Sequence, residues 1–138
     1  DERGYFASKV TANNELKYCI WATPAQRRLA EQLGDVVIQD NTFNTNSLKL
    51  PFSAVVSVDS EGRTQMPCQS LLMDETTEAF EFVFQEFLTL RGQAPQVIYT
   101  DGAQEAAAAI RAVLPRTLHE LCYWHIGQNV VKNVGSAL

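Results

Sequence analysis

The sequence predicts an α/β fold built on a mixed β-sheet. Three observations lead there. Three strand-like runs, at 35–43, 52–58 and 64–72, follow one another closely, as antiparallel neighbours do. Residues 76–91 then switch to a helical period, with Phe80, Val83, Phe84, Phe87 and Leu88 on one stripe. Beyond them, short apolar strands alternate with a second helical segment, the pattern of crossover connections in a sheet covered by helices on both faces.

The elements follow in order. YFASKVT (5–11) and LKYCIWA (16–22) flank the turn-like triplet Ala12-Asn13-Asn14 and read as a β-hairpin. Thr23-Pro24 opens a helix, with Thr23 as N-cap and Pro24 at the first helical position, and Gly34 ends it. In the run 35–43, Val36, Val37 and Ile38 are consecutively apolar, as in a strand buried on both faces. Phe52–Val58 and Thr64–Leu72 are joined by the turn Asp59-Ser60-Glu61-Gly62. In the helix over 76–91, Asp74, Glu75 and Glu78 stand where the helix dipole favours negative charge, and Gly92 and Pro95 close it. Gln96–Thr100 is a strand ending at Asp101-Gly102. Residues 103–114 form a helix on Ala106, Ala109, Ile110 and Val113, ended by Pro115. Thr117–Tyr123 is a further strand, and a last helix begins at Trp124 or His125. From residue 35 the order is β-β-β-α-β-α-β-α, that of the ribonuclease H-like fold. Residues 1–34 are expected as a hairpin and helix packed on a core of residues 35–138.

Composition narrows the function classes. The chain has 138 residues, 11 Lys+Arg against 16 Asp+Glu, a net charge of −5, and 46% hydrophobic residues. This is a globular composition of a size that suits one domain. The acidic balance argues against a stand-alone nucleic-acid clamp. The charge is unevenly spread: Asp74, Glu75, Glu78, Glu81 and Glu86 fall in one window that no base interrupts. Cys19, Cys68 and Cys122 are odd in number and widely spaced, which speaks against a secreted disulfide framework. No apolar run approaches the roughly 20 residues of a membrane span, and no signal pattern opens the chain. An intracellular piece of a longer protein is the expectation.

Two aspartates are candidates for chemistry. Asp40 follows Val36, Val37 and Ile38 on a strand, where a carboxylate is costly unless paired or metal-bound. Asp101 ends an apolar strand and precedes Gly102 and a helix, the position where open α/β sheets carry their sites. In the expected order these two strands are adjacent and parallel, bringing both carboxylates within reach of one hard divalent cation. The residues alone leave a second reading of each: Asp40 as a cap for Thr42, and Asp101 as a helix N-cap.

The runs DVVIQDNTFNTN (35–46), PFSAVVSVDSEG (51–62), ETTEAFEFVFQEFL (75–88), PQVIYTDG (95–102) and LPRTLHELCYWHIGQNV (114–130), preceded by ELKYCIWATP (15–24), occur in one order. Together they resemble the catalytic domain of Mutator-like element transposases and of their domesticated relatives, the plant far-red-response regulators. The likeness extends from about residue 5 to 130, and its most specific parts are D-x-T-[FY]-x-T-N and C-x-W-H. It implies a ribonuclease H-like fold and a DDE triad whose first two acids fall on Asp40 and Asp101 as catalytic metal ligands. It further implies a two-metal Mg²⁺ (or Mn²⁺) site in the complete protein, cleavage and strand transfer of transposon-end and target DNA, and a nuclear location. Self-association is left open. The family's C-x-x-H falls on Cys122 and His125, expected beside the site or against DNA. Its third acid, a Glu, is expected beyond this chain, so the fragment alone is not expected to be active. Asn41 departs from the family, which more often has a small hydroxyl residue there. A regulatory or interaction role without catalysis is the alternative.

Other features have plainer readings. Cys122 and His125 have half the spacing of a zinc site, but His119 points to the opposite side of its strand from Cys122, and zinc is not expected within this chain. Glu75 and Glu78 are read as helix-terminus charges rather than ligands. Trp21 and Trp124 are read as packing residues, and Arg27-Arg28 with Lys17 as a solvated cluster.

Overall fold

The structure is a computed structural model and describes residues 3–123. It is α/β. Ten elements follow one another: β1 (Tyr5–Val10), β2 (Leu16–Ala22), α1 (Pro24–Leu33), β3 (Val36–Thr42), β4 (Phe52–Val58), β5 (Thr64–Leu72), α2 (Thr77–Arg91), β6 (Val97–Thr100), α3 (Gln104–Val113) and β7 (Leu118–Leu121). The helix expected from Trp124 or His125 lies outside the described residues. One mixed sheet of seven strands runs in the order β1-β2-β5-β4-β3-β6-β7. The pairs β3–β6 and β6–β7 are parallel and the others antiparallel. The two parallel pairs are those whose connections pass through α2 and α3, as crossover geometry requires.

Local chemistry accounts for the helix ends. Thr23 accepts from the Gln26 backbone N–H through its hydroxyl while the Gln26 side chain accepts from the Thr23 N–H, a complete capping box ahead of Pro24. Thr76 caps α2 by accepting from Ala79 N, and Asp74 in turn accepts from the Thr76 hydroxyl at 2.7 Å. Gly92 ends α2 at φ 84°, the left-handed conformation glycine tolerates.

The core lies between one face of the sheet and α2 with α3. Tyr18, Ile20, Val37, Val55, Leu72 and Ile98 meet Phe80, Val83, Phe84, Phe87, Ala106, Ala109 and Ile110, all buried. The helical stripe read from the sequence is therefore the buried stripe of α2, except that Leu90 is buried where Leu88 is only half-buried. The expected burial of β3 on both faces is not seen among the described residues. Val37 is fully buried, but Val36 on the other face is 48% exposed and Ile38 is half-buried. Among the described residues that second face forms a mainly apolar groove of about 390 Å³, lined by Leu33, Val36, Ile38, Val58 and Tyr99 with Asp35 and Ser57. Val36 and Ile38 line this groove, and consecutive apolar residues cannot distinguish a groove from a sealed core.

Candidate functional site

Parallel pairing sets the strands that lead to the two candidate aspartates side by side. Val36, Val37 and Ile38 pair in parallel with Val97, Ile98 and Tyr99, an offset of 61 (97 − 36). Asp101 stands the same 61 residues beyond Asp40 (101 − 40), two positions past the last paired residues at the carboxyl ends of both strands. Neighbouring strands lie about 4.8 Å apart, and equal registers point side chains to the same face. The β6–β7 register repeats the relation with an offset of 21 (118 − 97), and Cys122 follows Asp101 by that same 21. The Cys122 N–H donates to Thr100 O at 2.7 Å, carrying the ladder one residue past β7. Asp40 and Cys122 are half-buried and Asp101 is exposed. His125 lies outside the described residues.

Each aspartate is braced from the opposite side of its strand. On β3, buried Gln39 donates to Ser53 Oγ at 2.9 Å and to Asn41 Oδ1 at 2.7 Å, and Asn41 Nδ2 donates to Glu75 Oε1 at 2.8 Å. This hydrogen-bonded chain runs from β4 through the end of β3 to the residue before the α2 cap. Glu75 is thus engaged structurally, and Glu78 likewise accepts from Lys9 and Lys17. On β6, the fully buried Thr100 has its Oγ1 2.8 Å from His119 Nε2 and accepts from the Gly102 N–H at 3.3 Å. Burial shifts His119 below its ordinary value, against a smaller opposing pull from the Glu120 carboxylate, and this favours the neutral ring that can accept from Thr100. Gly102 sits at φ 91°, and a Cβ there would stand 3.1 Å from Leu121 Cδ2. Asp101 Oδ1 accepts from Ala103 N at 3.0 Å, but the N-cap of α3 is Ala103 and no side chain caps it, so Asp101 is not the helix N-cap that one reading of the residues offered. A carboxylate offers about four lone-pair sites, so this bond leaves Oδ2 available to a cation.

Among the described residues no group of three or more His, Cys, Asp and Glu side chains is arranged to hold a metal ion. His119 is engaged with Thr100, and Cys19, Cys68 and Cys122 are free thiols. Burial pushes the Cys68 thiol up to about 12, so it stays protonated and packs as an apolar group. The bracing residues Gln39, Asn41, Ser53, Thr100 and His119 were not found in the sequence. Their one available signal was a polar side chain alternating with apolar ones on the inward face of a strand.

The MULE transposase domain model matches residues 36–129, a span that starts at β3 and contains the two candidate aspartates. The chain belongs to the MULE transposase domain family. Among named relatives, FAR1-RELATED SEQUENCE 6 of Arabidopsis thaliana is 24% identical over 131 residues, covering 95% of this chain and 19% of the relative. FAR1-RELATED SEQUENCE 5 of the same plant is 32% identical over 123 residues, covering 88% of this chain and 16% of the relative. FAR-RED IMPAIRED RESPONSE 1, also from Arabidopsis thaliana, is 27% identical over 127 residues, covering 91% and 15%. This MULE domain thus spans less than a fifth of the length of these relatives. No helix among its described residues is long and apolar enough to cross a membrane.

Proposed function

We propose that this MULE domain is the catalytic-core portion of a DDE-type DNA transposase with a ribonuclease H-like fold, and that Asp40 and Asp101 are its first two acidic residues. The observation that carries the reading is the parallel pairing of β3 with β6, in which Asp40 and Asp101 each stand two residues past the last paired residues, Ile38 and Tyr99. The strand order β5-β4-β3-β6-β7, with β4 antiparallel and β6 parallel to the central β3, supports the fold assignment.

The donor set fits a hard divalent cation, because carboxylate oxygens are the ligands that Mg²⁺ and Mn²⁺ prefer. Asp40 and Asp101 would hold it, together with an acid from elsewhere in the longer protein. When bound, such ions activate the attacking hydroxyl and neutralise charge on a phosphodiester during in-line displacement. The chain's own part is orientation. The Gln39–Asn41–Glu75 chain fixes the end of β3, and Thr100 with His119 fixes the turn that carries Asp101. A cut transposon end and a target strand are the DNA substrates of this reading, and the nucleus is where they would be met.

The likeness to relatives such as FAR-RED IMPAIRED RESPONSE 1 supports a second reading: a domesticated transposase-derived domain acting in transcription regulation or protein interaction without catalysis. The same scaffold serves both, since fold does not decide function.

Titration calorimetry with Mn²⁺ tests the site. The wild-type chain is expected to give a binding heat that Asp40→Ala/Asp101→Ala abolishes; equal weak heats from both proteins would sink the metal-site reading. In the full-length protein, cleavage of transposon-end DNA that disappears in Asp40→Asn decides for the transposase. Absence of cleavage by the wild-type protein decides for the domesticated reading.

A further inference from the structure

The loop joining β3 to β4 begins at Phe43, three residues beyond Asp40, and exposes two large apolar side chains. Phe43 and Leu48 are 53% and 71% exposed. The loop shape is nonetheless fixed. Asn46 Nδ2 donates to Leu50 O at 2.8 Å, Asn46 Oδ1 accepts from Leu50 N at 3.1 Å, and Lys49 N donates to Asn46 O at 3.1 Å. Asn44 and Lys49 lie in the left-handed region at φ 60° and 54°. Asparagine tolerates that conformation; lysine does so poorly, and such residues concentrate at functional sites. Lys49 has no ion-pair partner among the described residues. In a chain with 16 acids, none occurs between Asp40 and Asp59.

We propose that residues 43–49 form a DNA-strand-binding loop flanking the aspartate site, with Lys49 on a backbone phosphate and Phe43 stacked on a base. This rests on the reading that Asp40 and Asp101 act on a phosphodiester. The chemistry selects a nucleic acid over a protein surface. The loop offers a cation unpaired among the described residues, an exposed aromatic and three neutral hydrogen-bonding side chains (Asn44, Thr45, Ser47), the set that positions phosphates and stacks bases. The loop itself carries no carboxylate, which would repel a polyanion. Phe43 is three residues from Asp40, at most about 10 Å of extended chain. That is the span of roughly three nucleotides at about 3.4 Å each.

The test is fluorescence anisotropy of the 138-residue chain with a labelled DNA duplex bearing a single-stranded overhang, at low and stepped salt without metal. Phe43→Ala is expected to weaken binding about fivefold or more, the loss of one stacked base. Lys49→Gly is expected to weaken binding and lower the salt slope by about one. Because glycine relieves the left-handed backbone, this variant should melt at or above the wild-type temperature, which separates lost contact from lost fold. Unchanged DNA affinity in both variants overturns the proposal, as does no wild-type binding at low salt. Loss of affinity to an unrelated acidic peptide in parallel with loss to DNA also overturns it, by marking the loop as a general docking surface. Mn²⁺ heats, measured separately, report on the aspartates: their absence beside loop-dependent DNA binding fails the metal-site reading and leaves the loop standing.

Discussion

Arg91 occupies the space that a side chain on residue 34 would need. A Cβ built on Gly34 would stand 2.5 Å from Arg91 Nε, 2.6 Å from Arg91 Cδ and 2.3 Å from Ala30 O. Gly34 has φ −77°, which any residue adopts, so the glycine serves close approach rather than a special backbone. The arginine side chain is only 1% exposed. Its Nε donates to Ala30 O at 3.0 Å, its Nη1 to Ala94 O at 2.8 Å, and its Nη2 to Asp35. One guanidinium thereby ties the end of α1, the start of β3 and the segment after α2. Gly34→Ala is expected to destabilise the protein by about 1–3 kcal/mol through overpacking. Arg91→Met should cost about 2–4 kcal/mol by leaving buried carbonyls unpaired. Chemical denaturation measures both, and a Gly34→Ala midpoint equal to wild type would contradict the packing argument.

The aromatic residues of α2 should differ sharply in cost. Phe84 is fully buried, stacked on Phe80 with ring centroids 6.3 Å apart, and its replacement by Ala should lose about 3–5 kcal/mol. Phe82 lies off the stripe, half-buried against Tyr18 at 5.5 Å, and Phe82→Ala should lose roughly 1–2 kcal/mol. Equal losses in urea unfolding would show that the helical stripe does not set the energetics.

Acid should weaken the attachment of β1 and β2 to α2. Lys17 and Lys9 hold the Glu78 carboxyl down to about 2 from an ordinary 4.5. Because the folded-state value is the lower one, this contribution is fully present above about pH 4.5 and is lost as pH falls toward about 2. Glu78→Gln should flatten the melting-temperature profile across that window and leave its neutral-pH end nearly level, since exposed pairs contribute little. A variant profile with the wild-type slope between pH 4.5 and 2 would assign the acid sensitivity elsewhere.

Thr100 should tolerate serine but not valine. Its hydroxyl meets His119 Nε2 and the Gly102 N–H together, so Thr100→Val leaves two polar groups without their partner and should cost about 1–3 kcal/mol. Thr100→Ser keeps both bonds and should lose about 1 kcal/mol or less for the missing methyl. Thermal melts of the two variants check this, and equal melting temperatures would remove Thr100 from the bracing of the Asp101 turn.

Much of the architecture was legible in the chain itself. Thr23-Pro24 and Gly92 marked helix ends because capping is a local hydrogen-bonding problem, solved within three or four residues. The stripe Phe80-Val83-Phe84-Phe87 marked the buried side of α2 because burial follows the helical period. The site candidates Asp40 and Asp101 were legible as types and positions, and their strands as parallel neighbours. What a sequence does not carry is partnership across tens of residues. Gln39 with Ser53, Asn41 with Glu75, and Thr100 with His119 are hydrogen bonds between segments that only the sheet register brings together.

The sequence by itself determined the succession of the described elements and singled out two carboxylates as candidates, because period, capping and strand-end position are written within short windows. Only the tertiary structure decided that Gly34 is a seat for Arg91, that the second face of β3 is an open groove among the described residues, and that β3 pairs with β6 at an offset of 61. Each of these is a distance between remote segments, and such distances are fixed by packing and register rather than by local preference.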